Sequence, residues 1–136
     1  MDDRELLNVV MGIVGKDKCL DDCAELPCGE LVMVATTDML HRTTDFVPGM
    51  TDWQAGWMSA AVTLSDIASM GAAPKYLLVA VGLDDWKCLA GVMQGAKDCC
   101  TKYGAEIVGG DIDRHTELTV VTTGLGLVSR RDIVRR

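Results

Sequence analysis

The segment that most constrains the fold of this chain is a long helix with almost no polar face. Residues 53–70 read WQAGWMSAAVTLSDIASM. Thr51 before them has the residue type of a helix N-cap and Gly71 after them that of a left-handed stop, which predicts one helix of about five turns. Between Ala55 and Leu64 the side chains are apolar or small nearly all round. Because a helix of this kind is covered on more than one side, an acid near its C-terminal end, Asp66, is conspicuous.

The segments around this helix alternate between helical and strand patterns. Apolar residues at helical spacing predict a short amphipathic helix over 4–14, and a second long helix is predicted from residue 84 or 85 to residue 103. Apolar, β-rich runs between turn residues predict four strands, over 31–37, 75–83, 105–108 and 118–128. Residues 38–50 have no periodicity and are predicted as a long loop, and residues 109–111 are expected to form a turn after the third strand.

This order of elements predicts an α+β domain. We expect a mixed four-stranded sheet that is covered on one face by helices. The chain has 136 residues, of which 49% are hydrophobic, so it can bury one core and is expected to form a single domain. Because the helices are too few to cover both faces of the sheet, we expect the second face to pair with the sheet of a second subunit.

Charge and hydropathy argue against two classes of partner. The formal charge of −7 opposes broad binding to nucleic-acid phosphates. No apolar run approaches the roughly 20 residues that span a bilayer, and the first residues, MDDRE, are acidic where a signal peptide would be basic. We therefore expect a cytoplasmic protein without nucleic-acid or membrane partners.

The chain contains six cysteines, and an even count is compatible with disulfides in a small secreted protein. The missing export signal and the sizeable core favour free thiols instead. Cys19, Cys23 and Cys28 are spaced C-x3-C-x4-C. This spacing matches neither zinc ribbons nor the usual iron–sulfur runs, so no metal is predicted at these cysteines.

Carboxylates lie where the predicted strands and helices end. They are Asp21-Asp22 in the first loop, Asp38 after the first strand, Asp66 in the apolar helix and Asp111 after a double glycine. Acids at these positions can converge at one end of a sheet, where buried carboxylates without basic partners would be costly. A divalent cation would stabilise them. With the hydroxyls of Thr36 and Thr37 the donors are all oxygens, which favours Mg²⁺ over zinc or copper.

Each candidate residue also has a purely structural interpretation. The acids can end a strand, solvate a turn or, for Asp66, accept a hydrogen bond from Ser65 or the backbone. Gly109-Gly110 matches neither the P-loop nor the Rossmann fingerprint, and no serine has a G-x-S-x-G setting. His41 and His115 lie in polar loops and are expected to be surface residues.

Four acidic motifs, taken together, are more specific than any one of them. The motifs Asp21-Asp22-Cys-Ala, Ala35-Thr-Thr-Asp38-Met-Leu, Val62-Thr-Leu-Ser-Asp66-Ile-Ala-Ser-Met-Gly-Ala72 and Val108-Gly-Gly-Asp111 occur in an order and at spacings that resemble the thiamine-monophosphate kinase family. That family belongs to the aminoimidazole-ribonucleotide synthetase superfamily. The stretch over residues 40–50, LHRTTDFVPGM, resembles the archaeal branch.

The resemblance implies that this domain pairs with its twin to close an eight-stranded barrel, as a homodimer, with ATP near the dimer interface. Mg²⁺ ions would bridge aspartates and phosphates. The implied reaction moves the γ-phosphoryl group of ATP to the phosphate of thiamine monophosphate, forming thiamine diphosphate. No covalent nucleophile is expected, because positioning and charge neutralisation dominate such a transfer.

The resemblance also implies a role for individual residues. The implied metal ligands are Asp22, Thr36, Thr37, Asp38, Asp66 and Asp111. The implied nucleotide contacts are Gly110, Asp111 and Arg136, and Asp45 falls where the family places a substrate contact. The chain departs from the family pattern at Leu20, Thr63 and Ile112, where Gly, Asn and Thr are common. Family members also continue into a second, glycine-rich domain, so we interpret this chain as an N-terminal half.

Two alternatives stay open at this point. The first is a non-catalytic dimerisation module, which would fold and associate without turning anything over. The second is another ATP-using member of the superfamily, such as a selenophosphate synthetase, which would need a reactive cysteine in an N-terminal glycine-rich loop. Cys19 is near enough to keep that alternative open.

Overall fold

The computed structural model describes residues 2–135 and contains three α-helices and five strands in that part of the chain. The helices are α1 (Asp3–Val14), α2 (Asp52–Ser69) and α3 (Leu89–Tyr103). The strands are β1 (Ala24–Cys28), β2 (Leu31–His41), β3 (Ala73–Leu83), β4 (Glu106–Arg114) and β5 (Thr119–Ser129). Short 3₁₀ turns lie at Lys16–Cys19 and Trp86–Cys88.

Capping residues set the ends of the helices. Asp2 and Glu5 form a reciprocal capping box at the start of α1, and Thr51 and Gln54 form one at the start of α2. Helix α3 ends at Gly104, whose φ of 77° is in the left-handed region. The predicted N-cap at Thr51 is therefore confirmed, and it places the long apolar helix where the sequence indicates.

The strands form one mixed sheet in the order β1-β2-β5-β3-β4. Strands β3 and β4 run parallel, while the other three neighbouring pairs are antiparallel. Helices α2 and α3 pack on one face of this sheet. The α+β class with helices on one face is confirmed, but the prediction of four strands is wrong. The additional strand, β1, forms a hairpin with β2 through Gly29, which has a positive φ of 66°.

Several predicted boundaries also differ from the structure. The second long helix begins at Leu89 and not at residue 84 or 85, because residues 86–88 form a 3₁₀ turn. Strand β2 continues through Asp38 to His41, because its pairing with β5 is unbroken as far as His41 and Thr119. Residues 109–111 lie inside β4 instead of forming a turn. The backbone of β4 approaches β3 so closely there that a Cβ at Gly110 would collide with the carbonyl of Val79. Glycine therefore serves strand packing at this point and not a turn.

Glycines also bring the helices close to the sheet and to each other. A Cβ at Gly56 of α2 would collide with the backbone of Val92 in α3, and a Cβ at Gly95 of α3 would collide with the backbone of Trp53. On the sheet, Gly124 of β5 makes room for a helix side chain of α2. The apolar core lies between these layers and is built mainly from β3, β5, α2 and α3.

The opposite face of the sheet, which we call the open face, carries no helix of the described chain. Alternation along the strands places on it Met33, Ala35, Thr37 and Met39 of β2, Val121, Thr123, Leu125 and Leu127 of β5, Tyr76, Leu78 and Ala80 of β3, and Asp111 and Asp113 of β4. Most of these side chains are apolar. Among residues 2–135, none of the helices has the length and apolar character needed to cross a membrane.

Candidate functional site

A row of polar side chains on α2 faces β2 across a groove. Thr63, Asp66 and Ser69 are spaced three residues apart, so they line up along one side of the helix. Strand β2 presents Thr36 and Asp38 on its helix-covered face. Residues Asp22 and Cys23, just before β1, close one end of the row. We call these seven residues the α2–β2 groove.

Buried hydroxyl groups hold Asp38. The Oγ1 of Thr63 donates to Oδ2 of Asp38 at 2.6 Å. Thr63 itself lies 2.5 Å from the Oγ1 of Thr122, and that hydroxyl is 3.0 Å from the carbonyl oxygen of Ser59. Among residues 2–135 the ion pairs within 4 Å are Lys18–Asp17, Arg42–Asp84 and Arg135–Glu25, so none of them involves Asp38. The carboxylate of Asp38 is oriented by hydroxyls and not by a cation of the described chain.

Asp22 is held at the other end of the groove. The Oγ of Ser69 donates to Oδ2 of Asp22 at 3.0 Å and lies 2.7 Å from the carbonyl oxygen of Asp66. The hydroxyl of Thr36 donates to the backbone carbonyl of Asp22 at 3.1 Å. These contacts join the segment before β1 both to β2 and to the last turn of α2.

The pKa of the Cys23 thiol is raised by its burial and by nearby carboxylates. Its Sγ contacts the carbonyl oxygen of Asp66 at 3.3 Å. Burial, followed by the negative charge of Asp66, raises the pKa of Cys23 from 9.0 to about 11, while a hydrogen bond with Thr36 opposes the rise. The charges of Asp22 and Asp38 add further to it. All three acids are therefore near enough to Cys23 to act on it electrostatically.

The donor set of the groove fits a hard divalent cation that is shared with a ligand. Its carboxylate and hydroxyl oxygens are the donor types that Mg²⁺ prefers. Within residues 2–135, no three His, Cys, Asp or Glu side chains lie close enough together to hold a metal ion. Mg²⁺ is usually bound by one or two carboxylates together with substrate phosphates and water, and an all-protein cage is not required. The groove therefore suits a metal that arrives with a phosphate ligand.

Asp111 lies away from the groove. Its strand, β4, is separated from β2 by β5 and β3, so the two strands are about 14 Å apart at a spacing of about 4.8 Å. Asp111 is also on the open face, whereas Asp38 is on the helix-covered face. Gly110 precedes it at the close approach to Val79. The structure thus places Asp22, Asp38 and Asp66 in one region between α2 and β2 and leaves Asp111 outside it.

Thr37 is also turned away from its neighbours in the sequence. Its side chain lies on the open face, where its Oγ1 donates to the carbonyl of Thr122 at 3.0 Å and accepts from Thr123 at 3.2 Å. Successive residues of a strand point to opposite faces, so Thr36 and Asp38 enter the groove while Thr37 does not.

Asp45 closes the turn that follows β2. Its Oδ2 accepts from the backbone N–H of His41 at 2.7 Å and from the hydroxyl of Thr44 at 3.0 Å. These hydrogen bonds, the one from His41 first, lower the pKa of Asp45. The carboxylate therefore shapes the loop in which it lies. Arg136, the predicted nucleotide contact, lies outside the described residues.

Sequence reasoning did not identify Thr63, Ser69 or Thr122 as site residues. A signal was available for the first two, because Thr63, Asp66 and Ser69 form a polar row at helical spacing in an otherwise apolar helix. Thr122 offered no such signal. Its position between Ser59 and Thr63 depends on how β5 packs against α2.

Known proteins match this chain along most of its length. A family model described as AIR synthase related protein, N-terminal domain, matches residues 20–128. The thiamine-monophosphate kinase of Methanospirillum hungatei is 54% identical over 138 residues, which cover all of this chain and 48% of that protein. The thiamine-monophosphate kinase of Halobacterium salinarum is 42% identical over 134 residues, covering 96% of this chain and 44% of that protein.

A solved structure shares the fold. AaThiL complexed with AMPPCP and TMP superposes with a TM-score of 0.90 at 24% identity, covering 98% of this chain and 43% of that one. The chain spans about half the length of the curated relatives it matches. The similarity thus extends along the whole chain, but reaches only one part of each relative.

Proposed function

This chain belongs to the AIR synthase related protein family, as its N-terminal domain, and on this premise we propose that it is the ATP- and Mg²⁺-binding half of a thiamine-monophosphate kinase. The observation that carries the proposal is the α2–β2 groove, where hydrogen bonds bring Asp22, Asp38 and the backbone of Asp66, from distant parts of the sequence, into one region between α2 and β2. The names of the two archaeal relatives supply the choice of substrate.

The proposed reaction transfers the γ-phosphoryl group of ATP to the phosphate of thiamine monophosphate. Mg²⁺, when bound, neutralises the repulsion between the two anions and the charge that develops during the transfer. In this chain, Asp22, Asp38 and Asp66 would hold the metal, with Thr36 as a neighbouring oxygen donor. These residues would position the metal and thereby help to neutralise the charge of the two phosphate groups. No side chain of the groove needs to attack the phosphate.

We propose that the remaining candidate residues bind ligands outside the α2–β2 groove. Asp111 and Gly110 of β4 would contact the nucleotide phosphates or a metal that accompanies them. Thr37, which is also on the open face but three strand spacings away on β2, would be a separate metal ligand. Arg136 would contact the nucleotide, and Asp45, in the turn after β2, would contact thiamine monophosphate. A second subunit on the open face would complete the sites on that face.

A homodimer would supply that second subunit. The open face is largely apolar, and its exposed side chains include Met39, Tyr76 and Leu78. Apolar surface of this kind marks an interaction site. We propose that two open faces pack together and that β2, β5, β3 and β4 of each sheet, without the edge strand β1, close an eight-stranded barrel.

Calorimetry with MgATP tests the proposed groove directly. The wild-type chain should bind MgATP, and Asp38→Asn and Asp66→Asn should each weaken that binding by about tenfold or more, since even the partners of metal ligands are worth about 10- to 100-fold in affinity. The matched control is Asp17→Asn, which removes one exposed acid outside the groove. Equal affinity of all four proteins would contradict the proposed metal site.

A reconstitution assay tests the reaction. Mixed with the C-terminal half of the Methanospirillum hungatei relative, the chain should form thiamine diphosphate from ATP and thiamine monophosphate. A chain that dimerises but forms no thiamine diphosphate at any concentration would instead be a non-catalytic module.

A further inference from the structure

A chain of buried hydroxyls runs from the sheet to Asp38. Thr122 of β5 and Thr63 of α2 are 1% and 0% exposed, and their Oγ1 atoms are 2.5 Å apart. Thr63 in turn is 2.6 Å from Oδ2 of Asp38. Buried hydroxyls are costly to leave without hydrogen-bond partners, so two of them in contact at the base of a carboxylate call for an explanation.

The number of protons sets the direction of these hydrogen bonds. An ionised carboxylate only accepts, so the single hydroxyl proton of Thr63 goes to Asp38. The hydroxyl of Thr122 donates to the carbonyl oxygen of Ser59 in α2 at 3.0 Å, and its oxygen lies 2.5 Å from that of Thr63. The hydroxyl of Thr63 is therefore held between Thr122 and Asp38.

We propose that Thr63 is a positioning residue for Asp38, and that Thr122 keeps the hydroxyl of Thr63 aimed at it. The inference rests on the proposed function, in which Asp38 holds Mg²⁺. Asp38 would hold the metal while the hydroxyl of Thr63 donates to its Oδ2. Because α2 and β5 carry the two threonines, packed elements would keep the carboxylate oriented for that role.

Substitution of the hydroxyl by a methyl group tests this role. Thr63→Val keeps the shape of the side chain and removes the donor, and should weaken MgATP binding by about 10- to 100-fold, the range for partners of metal ligands. Thr63→Ser keeps the hydroxyl and should restore the affinity to within about threefold of wild type, about 0.7 kcal/mol. The matched control, Thr101→Val, changes an exposed threonine of α3 and should bind like wild type.

A second readout separates positioning from general damage. Binding of ATP in the presence of EDTA should be the same for wild type, Thr63→Val and Thr63→Ser, since the hydroxyl acts only through the metal ligand. Should Thr63→Val fail to fold, Thr122→Val takes its place, and it should weaken MgATP binding while leaving metal-free ATP binding unchanged.

The possible results distinguish the two proposals. If wild type binds MgATP, Asp38→Asn weakens that binding and Thr63→Val binds like wild type, the positioning role is overturned and the proposed function stands. If serine fails to restore what valine loses, the hydroxyl is not the cause and the positioning role is overturned as well. If wild type does not bind MgATP at all, both proposals fall.

Discussion

The two faces of the sheet are made from the same strands but are completed differently. On the helix-covered face, side chains such as Val34, Leu77 and Val120 are fully buried, and glycines let the helix backbones approach closely. On the open face, Met39, Tyr76 and Leu78 remain exposed. The covered face thus forms a core within this chain, whereas the open face, which is mostly apolar but also carries threonines and aspartates, is covered by no helix of the described residues.

The largest expected effect concerns the close contact between α2 and α3. Gly56→Ala places a methyl group against the backbone of Val92, and overpacking of this kind should lower the free energy of unfolding by about 3 kcal/mol. Urea unfolding followed by circular dichroism measures it. Gly12→Ala in α1 is the matched control, because its Cβ meets nothing within 4 Å, and it should change the free energy of unfolding by less than about 1 kcal/mol. If both substitutions lower the free energy of unfolding equally, the close contact between α2 and α3 is not the cause of the loss.

The next effect concerns the open face. Leu78→Glu puts a charge at the centre of the proposed dimer interface and should weaken self-association by about 100-fold, as expected for a central interface residue, while secondary structure is retained. Sedimentation velocity over a range of concentrations measures it. Val47→Glu changes another exposed apolar residue, in the loop after β2, and should leave association unchanged. A Leu78→Glu protein that associates like wild type would mean that the open face is not the interface.

The smallest effect concerns the thiol in the α2–β2 groove. Cys23 has a pKa of about 11 against an ordinary value of 9.0, so its neutral form is favoured in the folded state. The resulting stabilisation is complete below pH 9 and is lost as the pH rises toward 11, because the unfolded chain releases the proton first. Urea unfolding at pH 8 and pH 10.5 should show a loss that Cys23→Ala reduces by about 1 kcal/mol.

The exposed Cys28 supplies the control for this measurement. Cys28→Ala should leave the loss of stability between the two pH values as it is in wild type. If Cys23→Ala also leaves it unchanged, burial and the neighbouring carboxylates do not raise the pKa of this thiol in the folded state.

The sequence predicted the elements whose patterns are strong and local. The apolar helix after Thr51 and the strand that begins at Leu31 lie where their patterns indicate. The helix before Gly104 ends where predicted but begins at Leu89 instead of residue 84 or 85. The predictions failed at residues whose role depends on a neighbouring strand. From the sequence alone Ala24–Cys28 resembles a loop, but its pairing with β2 makes it a strand. Gly109-Gly110 resembles a turn, but its pairing with β3 makes it part of β4.

The same distinction between local patterns and tertiary contacts applies to the candidate site. The sequence identified Asp22, Asp38 and Asp66 as acids worth explaining, and the structure places all three in the region between α2 and β2. The separation of Asp111 from them was not predictable, because it follows from the order of strands in the sheet and from the face on which each residue lies. Distance along the chain carries neither piece of information.

The sequence by itself determined the class of fold, the helix ends and the chemical character of the site, because caps, periodicity and side-chain type are properties of a few neighbouring residues. Only the tertiary structure decided which oxygens share a groove and which hydroxyls stand behind Asp38. The packing of β5 against α2 brings Thr122 to Thr63 across 59 residues of chain. Such a contact exists only once the burial of apolar surface has brought the layers together.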